Sequence, residues 1–191
     1  MNDEDIIIFN NSDFEINRQL DSLQEITRNK YKPKNIRYLL VGESMPSGGT
    51  FFYCENSDLY RYTKEVFLKN FNWKEEKFLE YFMRNGFYFD DLCQEPVDNL
   101  GDTKRRNARK AYESDLADRI KKYKPLIIVS LLLSVERNVN HAILKAGLDI
   151  PHIAITSPFR GRHLVYMKEL DQVIKERIKP LFLKSSKKQN E

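Results

Sequence analysis

The sequence predicts an α/β protein in which a central four-stranded parallel sheet lies between helices on both faces, as a three-layer sandwich. Two features lead to this prediction. Short apolar runs without polar alternation, such as Leu126–Leu131, are typical of strands that are buried on both faces. Segments with apolar residues at helical spacing separate these runs, and strands that alternate with helices along the chain form parallel sheets.

The first half of the chain begins with a predicted helix whose capping-box pattern starts at Ser12. Residues 35–41 follow as the first predicted strand, because they form a short buried run. A long loop over residues 42–56 comes next, and Ser57 is placed to cap a helix that runs to Phe71.

The remaining elements alternate in the same way. A helix over residues 74–85 stops before Gly86, a residue type that favours helix ends. The later elements are strand 87–92, a basic helix over 103–123, strand 126–131, helix 134–147, strand 152–156 and a last helix that ends at Leu183. In parallel sheets ligands bind at the carboxyl ends of the strands, so the loops that follow the strands are the candidate site.

Size and composition suit one domain, which we place over residues 1–184, with a basic, disordered tail over residues 185–191. The chain has 191 residues, of which 41% are hydrophobic and 31% charged. No apolar run reaches the about 18–20 residues of a membrane span, and the acidic amino terminus lacks the basic region of a secretory signal. We therefore expect a monomeric cytoplasmic protein that does not enter a membrane.

Two cysteines, Cys54 and Cys93, are far apart in the sequence and form no CxxC pair. This spacing supports neither a zinc site nor a disulfide framework. The sequence therefore predicts no metal site, no metal cluster and no cofactor.

The loop after the first strand is the richest in candidate functional groups. It combines three glycines, which let a backbone approach a ligand closely, with Glu43 and the consecutive aromatic residues Phe51, Phe52 and Tyr53. Three consecutive side chains are not expected to point into the core together, so at least one ring should be free to face a ligand. The structural alternative is a tight turn with core aromatics.

Basic residues are concentrated in two segments, and the net charge of the whole chain is +4. Phosphate backbones attract such clusters, so we predict that these side chains bind DNA. The alternative is a solvated helix face. The predicted DNA-binding residues are Lys104, Arg105, Arg106, Arg109, Arg160 and Arg162.

The segment GESMPSGG-x-FFY after the first strand resembles the first active-site motif of the uracil-DNA glycosylase superfamily. Members carry GQDPY, GEAPG or GMNPG at this position, followed by an aromatic residue that stacks on the base. The segment GFYFDDL resembles the second strand of these folds, and SPFRGRH lies where the family has its second motif, HPS or NPS. The resemblance implies the glycosylase fold and a flipped-out base as the ligand.

The resemblance also implies roles for individual residues. Glu43 matches the acid of GEAPG, which positions water or stabilises the oxocarbenium charge on the sugar. Phe51 or Phe52 would stack on the base, and His163 would act as a second catalytic residue. The residues expected to contact the base are Gly42, Ser44, Phe51, Phe52, Tyr53, Asp91, Asn99 and Ser157.

Two departures from the family pattern bear on the substrate. Ser157 stands where many members have a histidine that stabilises the uracil anion, and no asparagine follows Ser130 within reach. We therefore expect a monofunctional DNA glycosylase that excises a modified pyrimidine rather than plain uracil. Phages place such bases in their DNA, which would make the protein an antiviral defence enzyme rather than one of host DNA repair.

Two other classes of function are open at this point. One is a catalytically silent DNA-binding member of the same fold, which would use the same basic residues. The other is a serine hydrolase of the SGNH type, because Gly42-Glu43-Ser44 resembles its GDS block. Such an enzyme needs a histidine base for Ser44, usually in a late DxxH pattern, and His163 does not fit that pattern because Arg160 stands three residues before it.

Overall fold

The computed structural model describes residues 23–187 of the chain. Within this range the protein is an α/β structure with a four-stranded, all-parallel sheet in the order β2-β1-β3-β4. The strands are β1 (Tyr38–Ser44), β2 (Phe87–Cys93), β3 (Ile127–Ser130) and β4 (His152–Ala154). The predicted α/β class and the predicted number and parallel direction of the strands are therefore confirmed.

Helices precede, connect and follow the four strands. They are α1 (23–30), α2 (Asp58–Asn70), α3 (Phe78–Arg84), α4 (Asp102–Ala111), α5 (Glu113–Tyr123), α6 (Glu136–Ala146), α7 (His163–Val173) and α8 (Lys179–Lys187). Helix α2 packs against α7, and α5 packs against α6. Crossovers between parallel strands are right-handed as a rule, so the connection from β1 to β2 and the connection from β2 back across β1 to β3 place their helices on opposite faces. This arrangement is consistent with a three-layer sandwich.

Local signals in the sequence account for several element ends. The Ser57 hydroxyl accepts a hydrogen bond from the Tyr60 amide at 3.1 Å and so caps α2, as predicted. Gly147 ends α6 in the left-handed region at φ 67°, where glycine has no steric penalty.

Several element boundaries differ from the prediction. Strand β1 starts at Tyr38 rather than residue 35 and runs to Ser44, so Glu43 belongs to the strand and not to the loop. The basic helix is two helices, because the chain turns at Tyr112. Helix 134–147 opens with a 3-10 turn, and the last helix continues past Leu183. The predicted helix start at Ser12 lies outside the described residues.

The core lies around β1, the second strand in the sheet order. Tyr38, Leu39, Leu40 and Val41 are each no more than 1% exposed, so four consecutive side chains are buried. This confirms that the strand is covered on both faces, since a one-sided sheet would alternate buried and exposed positions. The carboxyl ends of β1, β2 and β3 lie side by side and open towards the loops that carry the predicted site.

Candidate active site

A cavity of about 590 Å³ opens at the carboxyl end of the sheet. The end of β1 and the loop after it form one side, and Phe89 and Asp91 of β2 form another. Leu132, which follows β3, and Phe159, which follows β4, complete the wall together with Arg105 of α4. The cavity therefore lies where ligands bind in parallel α/β sheets.

Glu43 is held at one end of this cavity by two arginines of α4. Its Oε1 accepts from Arg105 Nε at 2.8 Å and from Arg109 Nε at 2.6 Å, and its Oε2 accepts from Arg105 Nη2. The glutamate is 6% exposed, whereas the Arg105 side chain is 31% exposed and lines the cavity. The sequence assigned Arg105 and Arg109 to phosphate contacts, but in this structure both bind Glu43.

The ion pairs determine the protonation state of Glu43. Burial by itself would raise the pKa of this carboxyl, but the hydrogen bond from Arg105 and the charge of Arg109 outweigh burial and hold the pKa below its usual range. Glu43 is therefore an anion at neutral pH. Since the arginines occupy both oxygens, the carboxylate is better placed to act electrostatically than to accept a proton from water.

Asp91 lines the cavity and is the register partner of Gly42 on the neighbouring strand. Its Oδ2 accepts from Arg28 Nη2 at 3.0 Å, while its Oδ1 faces Gly42, where a Cβ atom would lie only 2.4 Å away. Glycine is therefore required at position 42 for this carboxyl to reach the cavity. Burial raises the pKa of Asp91 to about 6, against the opposing charge of Arg28 and with the like charge of Asp90 adding to the rise.

All three consecutive aromatic residues of the loop are buried, each 2% exposed. The expectation that one of them stays free of the core is wrong, because a 3-10 turn at Phe52–Cys54 turns the side chains in different inward directions. Phe51 and Phe52 nevertheless line the cavity, and Phe52 stacks on Phe89 with ring centroids 4.8 Å apart. The Tyr53 hydroxyl instead bonds to the Phe89 backbone, at 2.8 Å from the amide and 3.0 Å from the carbonyl.

The segment that follows β2 approaches the cavity through Asp98 rather than Asn99. Asp98 lines the cavity and accepts from the Ser47 amide at 3.2 Å and the Ser47 hydroxyl at 3.1 Å. Asn99 is exposed and does not line the cavity. Ser44 lines it, and its hydroxyl accepts from the Val97 amide at 3.2 Å.

The predicted second motif is only partly at the cavity. Phe159 lines the cavity and is 46% exposed, whereas Ser157 is half-buried outside the lining. His163 begins α7 with its ring stacked on Tyr62, with centroids 5.0 Å apart, and does not line the cavity either. Arg160 and Arg162 are exposed on the same loop as Phe159.

Two further predicted DNA contacts lie on the helix that holds Glu43. Lys104 and Arg106 flank Arg105 on α4, and both side chains are exposed. Helix α4 and the loop around Phe159 both supply residues to the cavity wall, so exposed cations are carried on two of the segments that form this wall.

Histidines give no support to a serine hydrolase at Ser44. The chain has three histidines, all within residues 23–187, and none forms a hydrogen bond to Ser44. His152 does contact a serine, since its Nε2 lies 2.7 Å from the Ser130 hydroxyl and its Nδ1 lies 2.7 Å from Asn140 Oδ1. Ser130 is completely buried, however, so no substrate can reach it.

Several residues of the cavity were not identified from the sequence. Phe89, Asp98, Leu132 and Phe159 line it, and Arg28 orients Asp91 from α1. A useful signal was available for all four, because Phe89 lies in a predicted strand and Asp98, Leu132 and Phe159 follow predicted strands. Arg28 offered no such signal, since its partner is 63 residues away in the sequence.

Comparisons with known proteins and searches for other site types add no assignment. No family model matches the sequence, and no curated protein matches it either. Within residues 23–187, His, Cys, Asp and Glu side chains form no group of three that could hold a metal ion. None of the helices in the described part of the chain has the length and apolar character of a membrane span.

Proposed function

We propose that the protein is a DNA glycosylase of the uracil-DNA glycosylase type that hydrolyses the N-glycosidic bond of a flipped-out base. The observation that carries the proposal is one cavity at the carboxyl end of the sheet that combines aromatic walls, an ionised glutamate and an arginine. Chemistry at a glycosidic bond requires the nucleotide to leave the base stack and enter a pocket of this kind.

Phe51, Phe52 and Phe89 provide the apolar walls for a planar base. Phe52 and Phe89 are stacked on each other, and this contact fixes the positions of both rings at the border of the cavity. Aromatic walls of this kind can stack on any of the bases, because every base has a π-face. The polar groups of the cavity must therefore supply the specificity.

The charge distribution matches the charges that develop as the bond breaks. The bond between C1′ and the base nitrogen breaks, its electron pair leaves with the base, and the oxygen of a water molecule bonds to C1′. The Glu43 carboxylate is the negative group on the side of the positive oxocarbenium sugar in this proposal, and the Arg105 guanidinium, which together with Arg109 leaves the cluster with a net positive charge, favours the anionic base. Arg105 thus supplies the positive charge that a histidine of the second motif would otherwise provide, and the water proton passes to solvent.

The carboxylates of the cavity favour a base that donates hydrogen bonds. Asp91 Oδ1 and Asp98 are acceptors, so they suit exocyclic amines or hydroxyls better than the carbonyl oxygens of uracil. The volume of about 590 Å³ lies within the range of about 300–1,000 Å³ for sites that hold drug-sized ligands. A pyrimidine with a polar substituent fits these two properties, which supports a modified base; excision of such a base from phage DNA would make the protein a defence enzyme.

The exposed residues around the cavity favour duplex DNA as the partner. Phe159 is 46% exposed at the cavity mouth, where an apolar side chain can fill the gap that a flipped base leaves in the stack. Arg160 and Arg162 on the same loop, and Lys104 and Arg106 on α4, are exposed cations that suit the flanking phosphates.

A catalytically silent DNA-binding protein is the second candidate. Two observations favour it: the arginines occupy both oxygens of Glu43, and none of the three histidines lines the cavity. Such a protein would bind a flipped base without cleaving the bond.

The test is incubation of the purified protein with DNA duplexes that contain uracil, hypoxanthine, hydroxymethylcytosine or glucosylated hydroxymethylcytosine, followed by alkali cleavage. We expect strand breaks at a hydroxyl-bearing base, lost in Glu43→Gln and kept in Glu76→Gln, a matched change of an exposed glutamate outside the cavity. Binding without any strand break would support the silent protein instead. Equal cleavage by both variants would overturn the role of Glu43.

A further inference from the structure

A second cavity lies at the opposite end of the sheet from the candidate active site. Its volume is about 340 Å³, and it lies between the segment that enters β1 and the segment that connects α5 to β3. Since β1 has seven residues, the two cavities are separated by a strand length of about 20 Å. A ligand in one therefore does not occupy the other.

Five basic side chains line this second cavity, and no acidic side chain from residues 23–187 does. The cations are Lys32, Lys34, Arg37, Lys122 and Lys124. The whole chain is close to balanced, with 32 basic and 28 acidic residues, so a typical patch of its surface mixes both signs. A concave surface with one sign of charge focuses the electrostatic potential and attracts ions of the opposite sign.

None of the four lysines in this set forms an ion pair with a carboxylate of residues 23–187. Lys34, Lys122 and Lys124 are exposed and have no carboxylate partner within residues 23–187, in contrast to the adjacent Lys121, which is 3.8 Å from Asp118. Lysines near the end of a helix also offset its dipole. That role does not extend to Lys34, which comes from a different segment, so two separate segments direct cations into one cavity.

The remaining lining gives the cavity a defined shape. Lys32 Nζ donates to the Tyr123 hydroxyl at 3.2 Å and lies 4.9 Å from the centroid of the Tyr123 ring. Lys124 takes the left-handed conformation at φ 47° at the end of α5, a position where glycine is favoured. Leu126, which is 44% exposed, adds an apolar surface beside the cations.

We propose that this basic cavity binds a small oligophosphate anion, either an inorganic one or the phosphate chain of a nucleotide. Phosphate oxygens accept charge-assisted hydrogen bonds from lysines, and two or more phosphate groups match several cations better than one group does. The volume lies at the lower end of the range of about 300–1,000 Å³ for small-molecule sites. The inference is independent of the glycosylase proposal, because it uses none of the residues around Glu43.

The first test is a titration of the isotope-labelled full chain with pyrophosphate at low salt, followed by amide NMR shifts. We expect saturable shifts confined to residues 32–37 and 122–126, with a Kd tighter than about 1 mM. Shifts that do not saturate, or that lie mainly on α4, would overturn the site.

Variants test whether the lysines act as a site or as general surface charge. Lys34→Gln and Lys122→Gln should each weaken pyrophosphate binding about tenfold, and raising the salt should reduce the difference. Lys74→Gln and Lys77→Gln remove exposed lysines outside the cavity, so they should change Kd less than twofold. Equal losses in both sets would overturn the proposal.

Comparison of three probes identifies the source of the phosphate. Equal affinities for tripolyphosphate and ATP would assign the site to the phosphate chain alone, whereas a higher affinity for ATP would assign it to a nucleotide. Both results support the proposal. A single-stranded oligonucleotide that shifts the same amides with higher affinity than either probe would overturn the assignment to a small anion.

Discussion

The ion-pair cluster of Glu43, Arg105 and Arg109 yields a sharp prediction about stability. Glu43→Gln keeps the size of the side chain but removes the only negative charge that the two arginines share in this cluster. A glutamine oxygen can still accept one hydrogen bond. It cannot balance two guanidinium groups, so the variant leaves positive charge without a partner in a partly buried place.

The exposure of the partners determines the size of this effect. Removing one partner of a fully buried pair costs about 3–5 kcal/mol, and Glu43 is 6% exposed. The Arg105 and Arg109 side chains are 31% and 15% exposed, so water recovers part of the loss. We therefore expect Glu43→Gln to lower the free energy of unfolding by about 2 kcal/mol, which corresponds to a fall in Tm of about 4–8 °C.

Urea unfolding followed by circular dichroism measures the effect in a double-mutant cycle. Glu43→Gln, Arg105→Gln and the double variant should show a coupling free energy of about 1 kcal/mol, because each single change leaves the other charge without its main partner. Glu76→Gln, a change of an exposed glutamate, serves as the control. A coupling below about 0.3 kcal/mol, or a Glu43→Gln midpoint equal to that of the control, would refute the reasoning.

Three further predictions concern other contacts of the structure. Gly42→Ala should lower the free energy of unfolding by about 1–3 kcal/mol in urea, because its Cβ would lie 2.4 Å from Asp91 Oδ1; an unchanged midpoint would contradict this packing. Burial lowers the pKa of His152 to about 4, below its unfolded value of about 6.5. The neutral ring therefore stabilises the fold above pH 6.5, and this contribution of roughly 1–2 kcal/mol is lost as pH falls towards 4. Between pH 7 and 4.5 the urea midpoint should fall less in His152→Gln than in the unaltered protein. An equal fall in both proteins would contradict the assignment of this pH dependence to His152. Phe159→Ala should leave Tm unchanged but reduce strand cleavage in duplex DNA at least about tenfold, with little effect on single-stranded DNA. Leu164→Ala, a change of another exposed apolar residue, is the control. Equal losses of cleavage on duplex and single-stranded DNA would contradict the proposal that Phe159 fills the gap left by the flipped base.

The sequence predicted the architecture well, because the signals for strands and helix ends are local. Buried runs without alternation indicated β1 to β4, and Ser57 and Gly147 marked helix ends that the structure confirms. Strand boundaries were predicted less accurately where an apolar run passes into a polar one. Glu43 continues β1 even though it is charged, since Arg105 and Arg109 neutralise it inside the protein.

The sequence also predicted correctly which edge of the sheet carries the candidate site. It did not predict which side chains of the site are buried or ion-paired. The loop after β1 does line the cavity, because the carboxyl ends of parallel strands meet at one edge. Local pattern could not show that Phe51, Phe52 and Tyr53 are all buried. That outcome depends on a 3-10 turn and on aromatic partners such as Phe89, which come from a distant segment.

The amino-acid sequence by itself determined the order of strands and helices, the parallel sheet and the edge that carries the candidate site. These follow from hydrophobic periodicity and from residues that start or stop an element, which act within a few positions of the chain. Only the tertiary structure decided that Arg105 pairs with Glu43 across 62 residues, and that Lys34 and Lys122 meet at a second, basic cavity. Ion pairs and cavities depend on which faces of distant segments pack together, and periodicity carries no information about that.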